Sequence, residues 1–187
     1  MFNKIPAGVD SPAQILFYYN NKVLFNDVSL MSNYMSKNLT TKEGNSLTDE
    51  YALSDDDMDV FNVCVRQALP DIYEAMTKIT YGVDGSFEDS HTVSAGESSY
   101  FVDTSGITSD YITFRLRDNS AYNENVLSLV DASLLACLKQ AILKEYYSIV
   151  IQPDFFKVTT DRYMAELYKL KQRLFQLKKK SVSSLLT

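Results

Sequence analysis

Tryptophan is absent from the 187 residues, histidine occurs once, at His91, and cysteine twice, at Cys64 and Cys137. A single histidine leaves little material for catalysis that moves protons through imidazole. Two cysteines do not build a disulfide framework, and with no CxxC pair they offer no structural zinc site. Their usage fits a reducing cytosol. The phosphate-cradling GxxxxGK[ST], a GxGxxG after a strand, the zinc helix HExxH and the nucleophile elbow GxSxG are all missing. An enzyme therefore has no positive support. The start, MFNKIPAGVDS, lacks a basic region followed by an apolar run, so no signal peptide is expected. The most apolar stretch, Val126 to Ile151, is interrupted by Asp131, Lys139, Lys144 and Glu145, which argues against a membrane span.

What is present suits one soluble domain with a sizeable core. Hydrophobic residues make up 45% and charged ones 22%, which excludes a wholly disordered or collagenous chain. The formal charge of −6 speaks against a general nucleic-acid binder. Thirteen tyrosines and ten phenylalanines are many. Such surfaces suit protein contacts, because a tyrosine ring is rigid and apolar while its hydroxyl tolerates water.

The chain reads as an N-terminal arm over residues 1–21, one helical domain over 22–180 and a short tail over 181–187. In the arm, Pro6 and Gly8 interrupt regular structure. From Ser11 the signals conflict: Ser11-Pro12-Ala13-Gln14 is a helix-start pattern, yet Ile15 to Tyr19 and Lys22 to Phe25 are strand-like runs around Asn20-Asn21. Helix-then-strand and hairpin both fit. Asp27 is placed to cap a short helix with Leu30, Met31, Tyr34 and Met35 on one face. Lys37 to Ser46 reads as a loop.

Ser54-Asp55-Asp56-Asp57 then opens a helix, with acids where its dipole favours them. Met58, Phe61, Val65, Leu69, Ile72, Met76 and Ile79 recur at steps of three and four, and Pro70 should kink or divide that helix. Gly82 to Asp110 is rich in Gly, Ser and Thr. Ser99 to Asp103 and Tyr111 to Arg117 alternate like the strands of a hairpin. Asn125 to Ile151, apolar on nearly every face, should be the central helix, ended by Pro153. Thr160 is a candidate cap for a last helix in which Tyr163, Leu167, Leu170, Leu174 and Leu177 keep a seven-residue rhythm, suited to antiparallel packing on its predecessor. The fold class is mainly α: a helical bundle with a β-hairpin and an extended N-terminal arm.

Candidate chemistry is sparse. Asp55, Asp56, Asp57 and Asp59 are the densest acidic group, but consecutive helical residues do not converge on a cation and capping explains them. Asp84, Glu88 and Asp89 lack the spacing of a calcium loop. His91 has no orienting carboxylate or nucleophile in evidence, and both cysteines fall on apolar helix faces. No catalytic, cofactor or metal site is assigned. The remaining feature is charge segregation: Arg162 to Lys180 carries net +6 and the rest of the chain −12. Arg173, Lys178, Lys179 and Lys180 are the candidate partner-binding residues. They serve either a solvated helix end or docking on an acidic surface, including that of another copy.

Three segments together resemble the small helical proteins that form the neck ring of tailed phages and prophages, especially Bacteroidetes phages. KVLFNDVSLMSNYMSKNL (Lys22 to Leu39) is similar to their opening strand and short helix. YALSDDDMDVFNVCVRQALPDIYEAM (Tyr51 to Met76) is similar to the capped helix that follows. VDASLLACLKQAILKEYYSIV and TTDRYMAELYKLKQRLFQLKKK are similar to the closing helix pair of head–tail connectors. The resemblance implies a non-enzymatic virion structural protein in the neck, assembled in the host bacterial cytoplasm. Its partners would be the portal, other neck and tail proteins and copies of itself in a ring, twelve-fold if it follows the portal. No cofactor, sequence-specific nucleic acid or membrane is implied. A helical interaction or regulatory module of a mobile element is the main alternative, and a small enzyme using His91 or the acidic cluster the second.

Overall fold

The computed structural model describes residues 1–5, 14–37, 39–41, 44–80, 111–117 and 122–178. Ser99 to Asp103, His91, Asp84, Glu88, Asp89, Lys179, Lys180 and the 181–187 tail lie outside the described residues.

Near the N-terminus every second side chain goes inward: Ile15, Phe17 and Tyr19 are buried, while Leu16 and Tyr18 are half-buried. That period of two makes β2 (Gln14–Asn20), the middle strand of a three-stranded antiparallel sheet. β1 (Phe2–Ile5) flanks it on one side and β3 (Tyr111–Arg117) on the other. Phe17 stands opposite Phe2 in one neighbour and Phe114 in the other, and Ile112, Phe114 and Leu116 of β3 are buried as well. The described parts of the N-terminal arm before Asn21, Phe2–Ile5 and Gln14–Asn20, are extended, as expected, but the second of them supplies the central strand and part of the core. Among the described residues β3 pairs with β2.

Asn20-Asn21 is a strand-to-helix junction instead of a hairpin turn. Asn20 Oδ1 accepts the Val23 N–H at 3.0 Å and caps α1 (Asn21–Ser36), while Asn21 Nδ2 donates to Asn62 Oδ1 at 3.1 Å. The strand-like run Lys22 to Phe25 is therefore helical. The cap and the burial of Leu24, Phe25 and Val28 outweigh local β preference. Asp27 pairs with Lys139 at 2.6 Å and caps nothing.

The inner face of α1 is also rotated from expectation: Leu30 and Tyr34 face outward, and Ser32 and Ser36 are buried. Their hydroxyls explain this. Ser32 Oγ donates to Ser29 O and accepts the Leu53 N–H, both at 2.8 Å, while Ser29 Oγ donates to Leu53 O at 2.6 Å. Two serines a turn apart thus satisfy both backbone groups of one buried leucine. Between them and Leu53 lie a tight turn bridged from Thr40 to Ser46, with Gly44 at φ +86°, and the single turn α2 (Thr48–Tyr51).

The Asp57 carboxylate accepts both the backbone N–H and the hydroxyl of Ser54, at 2.8 Å each, and α3 (Met58–Thr80) follows a short 3-10 turn. Phe61, Val65, Leu69, Ile72 and Met76 are buried, as their spacing requires. Pro70 does not divide α3; it sits on the exposed side.

α4 (Leu127–Ile149) packs on α3, α5 and α1, with Val130, Leu134, Cys137, Leu138, Ala141 and Ile142 in the core. Glu124–Ile149 is long and apolar enough to cross a bilayer, but half of its most apolar window is buried in the fold. The helix closes where Gln152 N–H donates to Tyr147 O at 3.1 Å around Ile151, which holds φ +52°. This is a Schellman closure with a β-branched residue where glycine is usual. Pro153 does more than stop α4: it opens α5 (Pro153–Lys178), a position that needs no N–H. Thr160 is two turns inside that helix, its hydroxyl donating to Phe156 O at 2.7 Å, so it is no cap. Tyr163, Leu167, Leu170, Leu174 and Leu177 are all buried. The Asn123 N–H donates to Leu177 O at 2.8 Å, setting the end of α5 beside the start of α4. The pair is antiparallel.

Candidate interaction surface

One seam of α5 is spent on the core. A second series, Lys157, Met164, Tyr168, Lys171 and Phe175, recurs at steps of seven, four, three and four and so forms a separate stripe. Met164, Tyr168 and Phe175 are 57%, 64% and 55% exposed. Tyr168 and Phe175 stand about 10 Å apart along the axis. Among the described residues nothing covers these side chains, and large apolar groups left together in water mark contact surfaces.

Of the four residues expected to bind a partner, only Arg173 has a placed side chain. It is half-buried and donates from Nη1 to Gln176 Oε1 at 2.8 Å. Lys178 is the last residue of α5; its side chain, with Lys179 and Lys180, lies outside the described residues. Lys169 pairs with Glu166 at 2.6 Å. The structure therefore moves the emphasis from the basic end to the outward stripe. Its signal was in the sequence as a second, fainter three-and-four repeat interleaved with the leucines.

The acids around the start of α3 divide in two. Asp57 serves the cap, whereas Asp55, Asp56 and Asp59 are exposed, followed on the outer side by exposed Val63, Arg66 and Pro70. Farther in, charges are matched: Lys144 Nζ lies 2.7 Å from Glu145, 3.7 Å from Asp71 and 5.0 Å above the Tyr163 ring. Among the described residues no group of three or more His, Cys, Asp and Glu is placed to hold a metal ion.

Cys64 and Cys137 are fully buried, and burial pushes each thiol up to about 12, assisted by the nearby charges of Glu145 and Glu166 respectively. Neither is a thiolate at neutral pH, so neither is a ready nucleophile. Burial, with a smaller push from Asp57, raises Tyr146 to about 12 as well.

No family model matches the chain, and no curated protein or solved structure matches it either. The surface itself is what bears on function. Besides the α5 stripe, the described residues form shallow clefts, of which two adjoin α4. One, of about 310 Å³, lies between the sheet and α1, lined by Tyr18, Tyr111, Val23 and Leu135, with the two tyrosine rings edge-on at 6.1 Å. The other, of about 280 Å³, lies along α4 between Met31, Leu135, Lys139 and Glu166. Both are open and mostly apolar, and neither gathers a nucleophile with a base.

Proposed function

We propose that this chain is a non-enzymatic virion structural protein: a ring-forming head–tail connector that docks on a phage portal and extends the DNA channel toward the tail. The observation that carries this reading is the outward stripe of α5. A helix that has already buried its seam from Tyr163 to Leu177 presents Met164, Tyr168 and Phe175, flanked by Lys157 and Lys171, outward from the subunit.

A ring is built from heterologous contacts, in which each copy offers two different faces. One chain must then hold complementary surfaces, and segregated charge, +6 over Arg162 to Lys180 against −12 elsewhere, provides them. A portal of twelve subunits would template about twelve copies. The acidic body also suits a channel wall, because it repels the phosphates of a passing duplex and lets it slide. The order of elements resembles that of neck-ring proteins, which supports the same conclusion. The test is the mass of the chain in solution, alone and mixed with the portal of the same genome; a helical interaction module would instead stay a monomer or dimer in both.

A further inference from the structure

We infer that the outward face of α5 docks on the outward face of α3 in a second copy of this chain. The inference rests on the ring reading for its repeat, and names the contact from which the ring would be made.

The two faces are complementary in sign and in apolar content. On α5, Lys157 and Lys171 flank Met164, Tyr168 and Phe175, with Asp161 the acid on the same face; at the start of α3, Asp55, Asp56 and Asp59 lead into Val63, Arg66 and Pro70, so the α5 face is net positive and the α3 face net negative. Among the described residues none of these two lysines and three aspartates has an ion-pair partner. Both faces are outward on the same subunit, so neither reaches the other within it. Pairing α5 with α5 about a two-fold axis would set lysines against lysines, which disfavours that symmetric dimer. Pairing α5 with α3 sets cations against carboxylates and covers the exposed rings with Val63 and Pro70. Such a contact is heterologous and propagates from copy to copy until it closes.

The experiment mixes equal amounts of 15N-labelled and unlabelled chain, treats them with a zero-length carbodiimide, and maps the joined peptides by mass spectrometry, with and without portal. Mixed-isotope peptides linking Lys157 or Lys171 to Asp55, Asp56 or Asp59 are expected. In parallel, the Lys157→Glu/Lys171→Glu variant and the Asp56→Lys/Asp59→Lys variant should each associate at least tenfold more weakly, and the variant carrying all four changes should regain association. Assembly of the wild type with cross-links elsewhere and no effect of charge reversal overturns this contact and leaves the ring reading standing. Cross-links and rescue in a chain that stays dimeric with portal keep the contact and overturn the ring. A chain monomeric at every concentration, with no mixed-isotope product, overturns both. The wild-type cross-links decide the matter even if a reversed variant folds poorly.

Discussion

The Tyr19 hydroxyl donates to Asp131 Oδ1 at 2.9 Å, joining the middle strand of the sheet to the beginning of α4. Burial, then the Asp131 charge, holds that hydroxyl protonated well above the usual tyrosine range, so the bond persists through the physiological range. Tyr19→Phe keeps the ring and removes the bond. It should cost about 1–2 kcal/mol, seen as a lower urea midpoint with an unchanged slope.

Ile151 should be replaceable at a gain. It is 82% exposed and holds φ +52°, a conformation that costs an L-residue about 1–2 kcal/mol. Glycine removes this strain, less about 0.5–1 kcal/mol for its freer unfolded state. Ile151→Gly is thus expected to stabilise the isolated subunit by about 0.5–1 kcal/mol in thermal or urea unfolding. A loss would show that the side chain is held by contacts within the subunit.

The two thiols make stability fall in alkali. Each releases its proton near 9 when unfolded but only near 12 when folded. Between those values the unfolded chain holds fewer protons than the fold, so stability is complete below pH 9 and declines as pH rises toward 12. Each thiol contributes at most about 1.4 kcal/mol per pH unit, and the buried tyrosines act in the same direction. A thiol reagent at pH 8 should react slowly with native protein and promptly with two thiols per chain in guanidinium. Prompt native reaction at either cysteine would contradict its burial.

Replacing Lys178, Lys179 and Lys180 together by Gln separates a solvated helix end from a docking tail. Loss of favourable charge at the helix C-terminus costs at most about 1 kcal/mol. If the tail docks, the variant folds normally, assembles poorly, and wild-type assembly weakens with added salt. Full competence together with salt-independent assembly would leave the tail as a solvated end.

Long periodic helices were legible from spacing alone. The buried seam of α5 follows it residue for residue, the inner face of α3 follows it from Phe61 to Met76, and the Ser54–Asp57 cap announced the start of α3. The junction at Asn20 was not, because asparagine signals turns and helix caps alike, and only the position of Asn62 in space decides between them. The pairing of Tyr19 with Ile112 spans half the chain, and no local pattern encodes it. Ile151 concealed the end of α4, since a helix stop is ordinarily marked by glycine. Of the candidate surface, the charge was visible in composition. The aromatic stripe emerged only once the leucine seam was known to face inward.

The central claim is that copies of this chain close into a ring on a portal, and light scattering of the purified chain mixed with portal tests it most directly. The account predicts a discrete complex that adds about twelve copies per twelve-subunit portal and loosens as salt is raised. A discrete dimer that persists unchanged with portal present would contradict it.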